Sequence, residues 1–148
     1  MLVEFPFNAR PAYCLEILKR LKLESIIPVI AHPERNRNFL NCLGVLVAFV
    51  KTGCLIQIDA ASIAGVYGLK IKEFAKRLIR LNLADLVASN AHCANDYSNW
   101  YMEAYKNVIQ WSGQENANRL FIQNAKKIID SSDESHYKNV IGLRGDVL

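Results

Sequence analysis

The sequence predicts an α/β fold built on about four parallel strands with helices between them. Two observations predict it. Short apolar runs alternate with longer amphipathic stretches up to about residue 89, and each short run ends in polar or turn residues. Such alternation is typical of parallel sheets with right-handed crossover connections. The chain has 148 residues, which is enough for one domain with a hydrophobic core.

Four apolar runs are the predicted strands. Each is short, rich in Val, Ile or Leu, and therefore typical of a strand that is buried on both faces. The runs cover residues 2–5, 27–31, 54–58 and 86–89.

Helical periodicity fills the intervals between these runs and the segment after the last one. Pro11 suits the first turn of the first helix, and Gly53 closes the second. The predicted helices cover residues 11–23, 38–51, 69–81, 99–111, 116–121 and 125–130. Residues 131–148 are polar, so we predict one domain over residues 1–130 and a polar tail over 131–148.

Composition disfavours membrane and nucleic-acid functions. The longest apolar stretch, residues 43–50, is far shorter than the ~20 residues of a spanning helix, and no secretory signal opens the chain. The net charge is +4, and the basic residues of stretches 19–22 and 70–80 fall on predicted helices without interleaved aromatic residues. We therefore expect a cytoplasmic protein with no membrane insertion and no nucleic-acid partner.

Polar side chains lie at or just beyond the carboxyl end of every predicted strand. Because the carboxyl ends of parallel strands meet at one edge of a sheet, these side chains are expected to converge on a common rim. They are Glu4, His32, Glu34, Arg35, Gln57, Asp59, Asn90 and His92. This convergence is the main functional signal in the sequence.

The rim offers ligands for a cation and for an anion. Glu4, His32 and His92 supply the oxygen and nitrogen atoms that many divalent metals prefer, although a histidine after a strand is more often structural. Both readings stay open on composition. Arg35 has a planar fork that suits two phosphate oxygens, and a salt bridge to Glu34 or another nearby carboxylate is the alternative.

Four segments of the chain are similar to a known family. In their order and spacing they resemble the manganese-dependent protein-tyrosine phosphatases of capsular and exopolysaccharide biosynthesis, which belong to the polymerase-and-histidinol-phosphatase (PHP) superfamily. The resemblance runs from residue 1 to about residue 130. The segments are Leu2-Val-Glu4-Phe-Pro-Phe7, Pro28-Val-Ile-Ala-His32-Pro-Glu-Arg35, Gln57-Ile-Asp-Ala-Ala-Ser62-Ile-Ala-Gly65-Val-Tyr-Gly68 and Ala88-Ser-Asn-Ala-His92.

The resemblance implies a partial, distorted β/α barrel of the TIM-like kind with a metal site at its rim. The implied reaction is hydrolysis of phosphotyrosine assisted by Mn²⁺ or another divalent metal, and the implied partner is a tyrosine kinase of polysaccharide export. Arg35 would act in catalysis by facing the phosphate. The implied metal-side residues are Glu4, His32, His92 and Asn90, and the implied phosphate-side residues are Arg35, Gln57 and Ser62.

The chain also departs from the family pattern. Asn90 stands where the family carries an aspartate, and residues 93–100 lack an arginine that usually follows. The family's N-terminal portion, with a His-x-His pair and further ligands, has no counterpart in this sequence. Glu4 is then the one negatively charged ligand, too little to balance several close divalent cations. We therefore expect weak or absent activity from this chain.

Half a barrel would leave open strand edges, so we also expect self-association or a complementing N-terminal part. Two other functions stay open. One is a non-catalytic remnant that binds phosphate or regulates, and the other is a PHP phosphoesterase that acts on a small phosphate ester.

Overall fold

Four short parallel strands form one sheet in the order β1-β2-β3-β4 in the computed structural model, which describes residues 1–9 and 12–130. In register, Val3 lies beside Ile30 and Ile30 beside Ile56. The strands are β1 (Leu2–Val3), β2 (Val29–Ala31), β3 (Leu55–Asp59) and β4 (Leu86–Ala88). This confirms the predicted α/β class with four parallel strands. The predicted tail, residues 131–148, lies outside the described residues.

Helices connect the strands and follow the last of them. They are α1 (Cys14–Leu23), α2 (Arg37–Asn41), α3 (Leu43–Lys51), α4 (Ala60–Ala64), α5 (Leu69–Arg80), α6 (Ala94–Asn118) and α7 (Asn124–Asp130). A 3₁₀ turn (Pro33–Arg35) follows β2, and a π-helical turn (Arg119–Gln123) joins α6 to α7. Gly113 interrupts α6 with φ 87° and ψ 163°, a conformation that glycine reaches at little cost.

One predicted helix was wrong in detail, and one helix was not predicted. The single helix predicted over residues 38–51 is broken at Cys42, whose φ of −142° and ψ of 83° end α2 and begin α3. The sequence reading also missed α4, which starts directly after β3. Asp59 caps α4 by accepting a hydrogen bond from the Ala61 amide, and Gly65 ends it in the left-handed region.

The sheet is buried on both faces, as parallel sheets require. On one face, Ile30, Ile56 and Ile58 have no exposed surface, and on the opposite face Leu55 and Leu86 are buried as well. The amphipathic α5 turns Phe74 and Leu78 into the core, which fits the 3.6-residue period of a helix with one buried face.

Three phenylalanines form an aromatic cluster in the core. The Phe39 ring centroid lies 5.6 Å from that of Phe5 and 5.7 Å from that of Phe49, both edge-on. Phe39 is fully buried. The cluster thus packs the segment after β1 against α2 and α3.

In the part of the chain that the structure describes, no helix combines the length and the apolar character needed to cross a membrane.

Candidate functional site at the strand ends

The chain turns sharply where β2 and β4 end. His32 donates its amide to the Gln57 carbonyl at 2.8 Å, which extends the β2–β3 ladder by one residue, and then adopts φ 34° and ψ 50°. Asn90, just beyond β4, has φ 48°. The left-handed region costs a non-glycine residue roughly 1–2 kcal/mol. Asparagine enters this region more readily than most residues, and Ser25 and Asn82 also adopt positive φ, so His32 is the position at the rim where the backbone is a functional signal.

Glu4 and His32 meet at the rim. The Glu4 Oε1 atom lies 3.3 Å from the His32 Nε2 atom. The imidazole is nearly buried, whereas 64% of the Glu4 side chain is exposed, and the Phe7 ring lies 5.9 Å from the His32 ring. The structure thus brings two of the predicted metal-side residues together as a nitrogen and oxygen pair that solvent can reach.

The other two predicted metal-side residues are placed differently. His92 is exposed beyond β4, and Asn90 donates its side-chain amide to Asp59 Oδ2 at 3.3 Å. Among the side chains that the structure describes, no three from His, Cys, Asp or Glu are arranged to hold one metal ion. Since metals in proteins take four or more ligands, the Glu4–His32 pair fits a part of a metal shell and not the whole of it.

Arg35 is held between two aromatic rings. Its guanidinium carbon lies 4.6 Å from the Phe7 ring centroid and 4.1 Å from that of Tyr67. Nη1 donates to Asp59 Oδ2 at 3.1 Å. Both distances are short enough for cation–π attraction, and the guanidinium N–H groups that are not bonded to Asp59 can donate to an anion. The side chain is therefore oriented before any anion arrives.

Asp59 organises the rim from below. Its carboxylate is 1% exposed and accepts hydrogen bonds from Arg35, Asn90 and the Ala61 amide. Burial raises the pKa of Asp59 above its ordinary value, against the opposing effects of the Ala61 hydrogen bond and the Arg35 charge. One carboxylate thereby ties the turn after β2 to the ends of β3 and β4.

Glu34 lies deeper still. It is fully buried, and its Oε1 atom accepts hydrogen bonds from the Asp59 amide at 3.0 Å and from the Ser62 hydroxyl at 2.6 Å. Its Oε2 atom has no hydrogen-bond partner among the described residues. Burial raises the pKa of Glu34 from 4.5 to about 7, although the hydrogen bonds from Ser62 and the Asp59 amide oppose the shift.

The predicted phosphate-side residues other than Arg35 sit away from the surface. Ser62 is fully buried and its hydroxyl is engaged by Glu34, so it supports the rim from within. Gln57 is half-buried in β3 and accepts the His32 amide through its backbone. The expected salt bridge from Arg35 goes to Asp59, whereas Glu34 faces the interior.

The sequence did not lead us to predict that the Phe7 and Tyr67 rings contact Arg35. Phe7 and Tyr67 come from distant segments, and each is partly exposed although large and aromatic. The available signal was the position of each ring, one in the segment that follows β1 and the other within Gly65-Val-Tyr-Gly68.

We predict that Glu34→Gln weakens the pH dependence of stability. Between pH 4.5 and about 7 the folded wild type keeps a proton on Glu34 that the unfolded chain has lost, so its stability falls as pH rises through this window. At ~1.4 kcal/mol per unit of pKa, the expected fall from this group is about 3 kcal/mol. Urea unfolding at pH 5 and at pH 7.5 measures it.

The matched control is Glu115→Gln, which changes an exposed carboxylate. It should keep the wild-type difference between the two pH values, whereas Glu34→Gln should reduce that difference by most of the expected amount. An unchanged difference in Glu34→Gln contradicts the interpretation.

Comparison with known proteins shows which family the chain belongs to. The family model for capsular polysaccharide synthesis, CpsB/CapC, matches residues 1–130. The tyrosine-protein phosphatase YwqE of Bacillus subtilis is 44% identical over 92 residues, which is 62% of this chain and 36% of YwqE. CpsB of Streptococcus agalactiae serotype III is 31% identical over 141 residues, or 92% of this chain and 56% of that protein.

A solved structure agrees with these relatives. It comes from work on YwqE of Bacillus subtilis and CpsB of Streptococcus pneumoniae, described there as metal-dependent tyrosine phosphatases. It matches with a TM-score of 0.81 and 36% identity over 86% of this chain and 51% of that chain. The chain thus spans roughly a third to just over a half of the relatives that it matches. On sequence and structure together, it belongs to the CpsB/CapC family of capsular polysaccharide synthesis.

Proposed function

We propose that this chain forms part of a metal-dependent protein-tyrosine phosphatase of capsule and exopolysaccharide synthesis. The observation that carries the proposal is that the Glu4–His32 pair and Arg35 both lie against the Phe7 ring. Phe7 contacts both His32, which pairs with Glu4, and Arg35, which is oriented as an anion receptor. A group that suits a cation and a group that suits a phosphate therefore lie side by side at the strand ends.

In this proposal each side chain has a task that its surroundings support. Glu4 and His32 contribute oxygen and nitrogen to a divalent metal, which we take to be Mn²⁺, and His92 and Asn90 are further candidates on the same rim. Arg35 binds the phosphate of phosphotyrosine through its N–H edge. A divalent metal would supply charge neutralisation and water activation.

The two donors Glu4 and His32 are fewer than a metal needs, so we propose that the chain by itself turns substrate over slowly. Its rate is expected to lie well below that of YwqE under the same conditions. We further propose a tyrosine kinase of polysaccharide export as the substrate protein. A cytoplasmic location goes with such a partner, since kinases draw on ATP.

His32→Ala tests the metal part of the proposal. Removing one of two paired donors is expected to weaken Mn²⁺ binding at least tenfold and to lower manganese-dependent hydrolysis of an aryl phosphate in proportion. Mn²⁺ titration followed by electron paramagnetic resonance gives the affinity without requiring turnover.

Glu115→Gln, which removes an exposed carboxylate in α6, is the control and should bind Mn²⁺ like the wild type. Equal Mn²⁺ affinity and equal hydrolysis in His32→Ala and the wild type would remove the metallophosphatase proposal for this chain.

A non-catalytic phosphate-binding module is the second candidate. The hydrogen bond from Asn90 to Asp59 favours it, because this neutral side chain is engaged beside the receptor arginine and adds no charge for a metal. Phosphopeptide binding by Arg35 with no hydrolysis at saturating Mn²⁺ would identify this candidate as the correct one.

A further inference from the structure

A basic cleft lies beside Arg35 and away from the Glu4–His32 pair. It has a volume of about 520 Å³, within the ~300–1,000 Å³ range of small-ligand sites. Arg35, Arg37 and Lys70 line it together with Tyr67, and Leu40 and Ile71 supply apolar wall. Three of the described lining residues are basic and none is acidic.

Arg37 and Lys70 each stand in the first turn of a helix. Arg37 opens α2 directly after Asn36, whose side chain caps that helix, and the Arg37 amide donates to the Phe7 carbonyl at 2.9 Å. Lys70 stands in the first turn of α5, which begins after Gly68 at φ 92°. The start of an α-helix carries partial positive charge, so the backbone at Lys70 adds to the charge of the side chain.

The positive charge of the cleft is largely uncompensated. Arg35 is paired with Asp59, but Arg37 and Lys70 are exposed, and no ion pair between described residues involves either of them. Unpaired cations that line a concave surface raise the local concentration of anionic groups. The cleft is thus suited to an acidic ligand that is flexible enough to enter it.

We infer that this cleft binds acidic side chains next to the phosphotyrosine of a peptide substrate, an inference that rests on the proposed function. Arg35 belongs to both the rim and the cleft, so a chain that continues from a phosphotyrosine on Arg35 has the cleft beside it. Arg37 and Lys70 contact the flanking carboxylates, and Leu40 and Ile71 contact the apolar parts of the peptide. The cleft selects among phosphotyrosine sites by their neighbours.

Equilibrium binding of synthetic peptides to the full chain tests the inference. Four peptides are compared, with phosphotyrosine or tyrosine at the centre and with either glutamate or glutamine on both sides. We expect the glutamate phosphopeptide to bind about tenfold tighter than the glutamine phosphopeptide, since charge-assisted contacts are the strong ones. The preference should shrink as salt is raised.

The test variant is Arg37→Ala/Lys70→Ala, and the control is Lys51→Ala/Arg80→Ala, which removes the same charge from exposed positions outside the cleft. Circular dichroism checks the fold of both. The glutamate preference should vanish in the test variant and persist in the control. A preference that is absent in the wild type, or that survives in the test variant, overturns the inference.

The two proposals fail in different ways. If phosphorylation has no effect on binding but glutamate still strengthens it through Arg37 and Lys70, the proposed function fails and the basic cleft stands as a site for acidic side chains. If phosphorylation strengthens binding and glutamate does not, the proposed function is supported and the cleft inference is wrong.

Discussion

Arg35→Ala is expected to lower the affinity of the chain for a phosphotyrosine peptide by about tenfold to a hundredfold. Hydrogen bonds to charged groups contribute ~1.5–3 kcal/mol, and the Phe7 and Tyr67 rings orient the guanidinium in advance, so little entropy is lost on binding. Arg35→Lys keeps the charge but loses the planar fork and is expected to fall in between. Calorimetric titration of one phosphopeptide measures all three proteins.

A loss of folding must be separated from a loss of binding. Without Arg35, the buried Asp59 carboxylate keeps Asn90 and the Ala61 amide but no cation, which is costly. Arg35→Ala/Asp59→Asn removes the uncompensated charge and should regain stability against urea without regaining affinity. If Arg35→Ala binds the phosphopeptide as tightly as the wild type, Arg35 is not the phosphate receptor.

Phe39→Ala is expected to lower the free energy of unfolding by about 3–5 kcal/mol, the usual cost of emptying a buried phenylalanine site. Phe39 has no exposed surface and packs edge-on against Phe5 and Phe49, so its removal leaves a cavity that two rigid rings cannot fill. Chemical denaturation at constant pH measures the loss.

Leu23→Ala is the matched control for a large apolar residue, because Leu23 is 86% exposed at the end of α1. Its effect should stay within about 0.5 kcal/mol. A loss below 1 kcal/mol in Phe39→Ala would mean that the aromatic cluster is not the centre of the core.

Strand positions could be predicted because burial on both faces leaves an unambiguous mark. Three of the apolar runs contain the strand that the structure places there, for example β2 within 27–31 and β4 within 86–89, and β3 extends one residue beyond its run to Asp59. Strand ends were less accurate. β1 was predicted to reach residue 5 but ends at Val3, and Pro6 soon after has no amide to continue a ladder.

Helix breaks were harder, since they depend on contacts between distant residues. The residue type at Cys42 does not predict a helix break, because it is neither glycine nor proline. The apolar pattern also continues past it. The break accompanies the packing of Phe39 from α2 against Phe49 from α3, which a sequence pattern does not specify. By contrast, α4 could have been recognised from Asp59 and Gly65, a capping pair around a five-residue helix.

The rim could be predicted in outline because topology alone brings the ends of parallel strands together. The pairing of Glu4 with His32 follows from that rule. The rule does not predict the buried layer beneath the rim, in which the Asp59 amide donates a hydrogen bond to the Glu34 carboxylate. Such a layer depends on side-chain directions and on burial, and spacing in the sequence carries neither.

The contact between Asn90 and Asp59 bears on how the chain could change in evolution. The two side chains approach to 3.3 Å with the amide as donor. An aspartate at position 90 would set two acidic groups face to face beside a carboxylate whose burial already raises its pKa. A change of Asn90 to aspartate would therefore destabilise the fold until a cation or a proton joined the pair, whereas the asparagine needs neither.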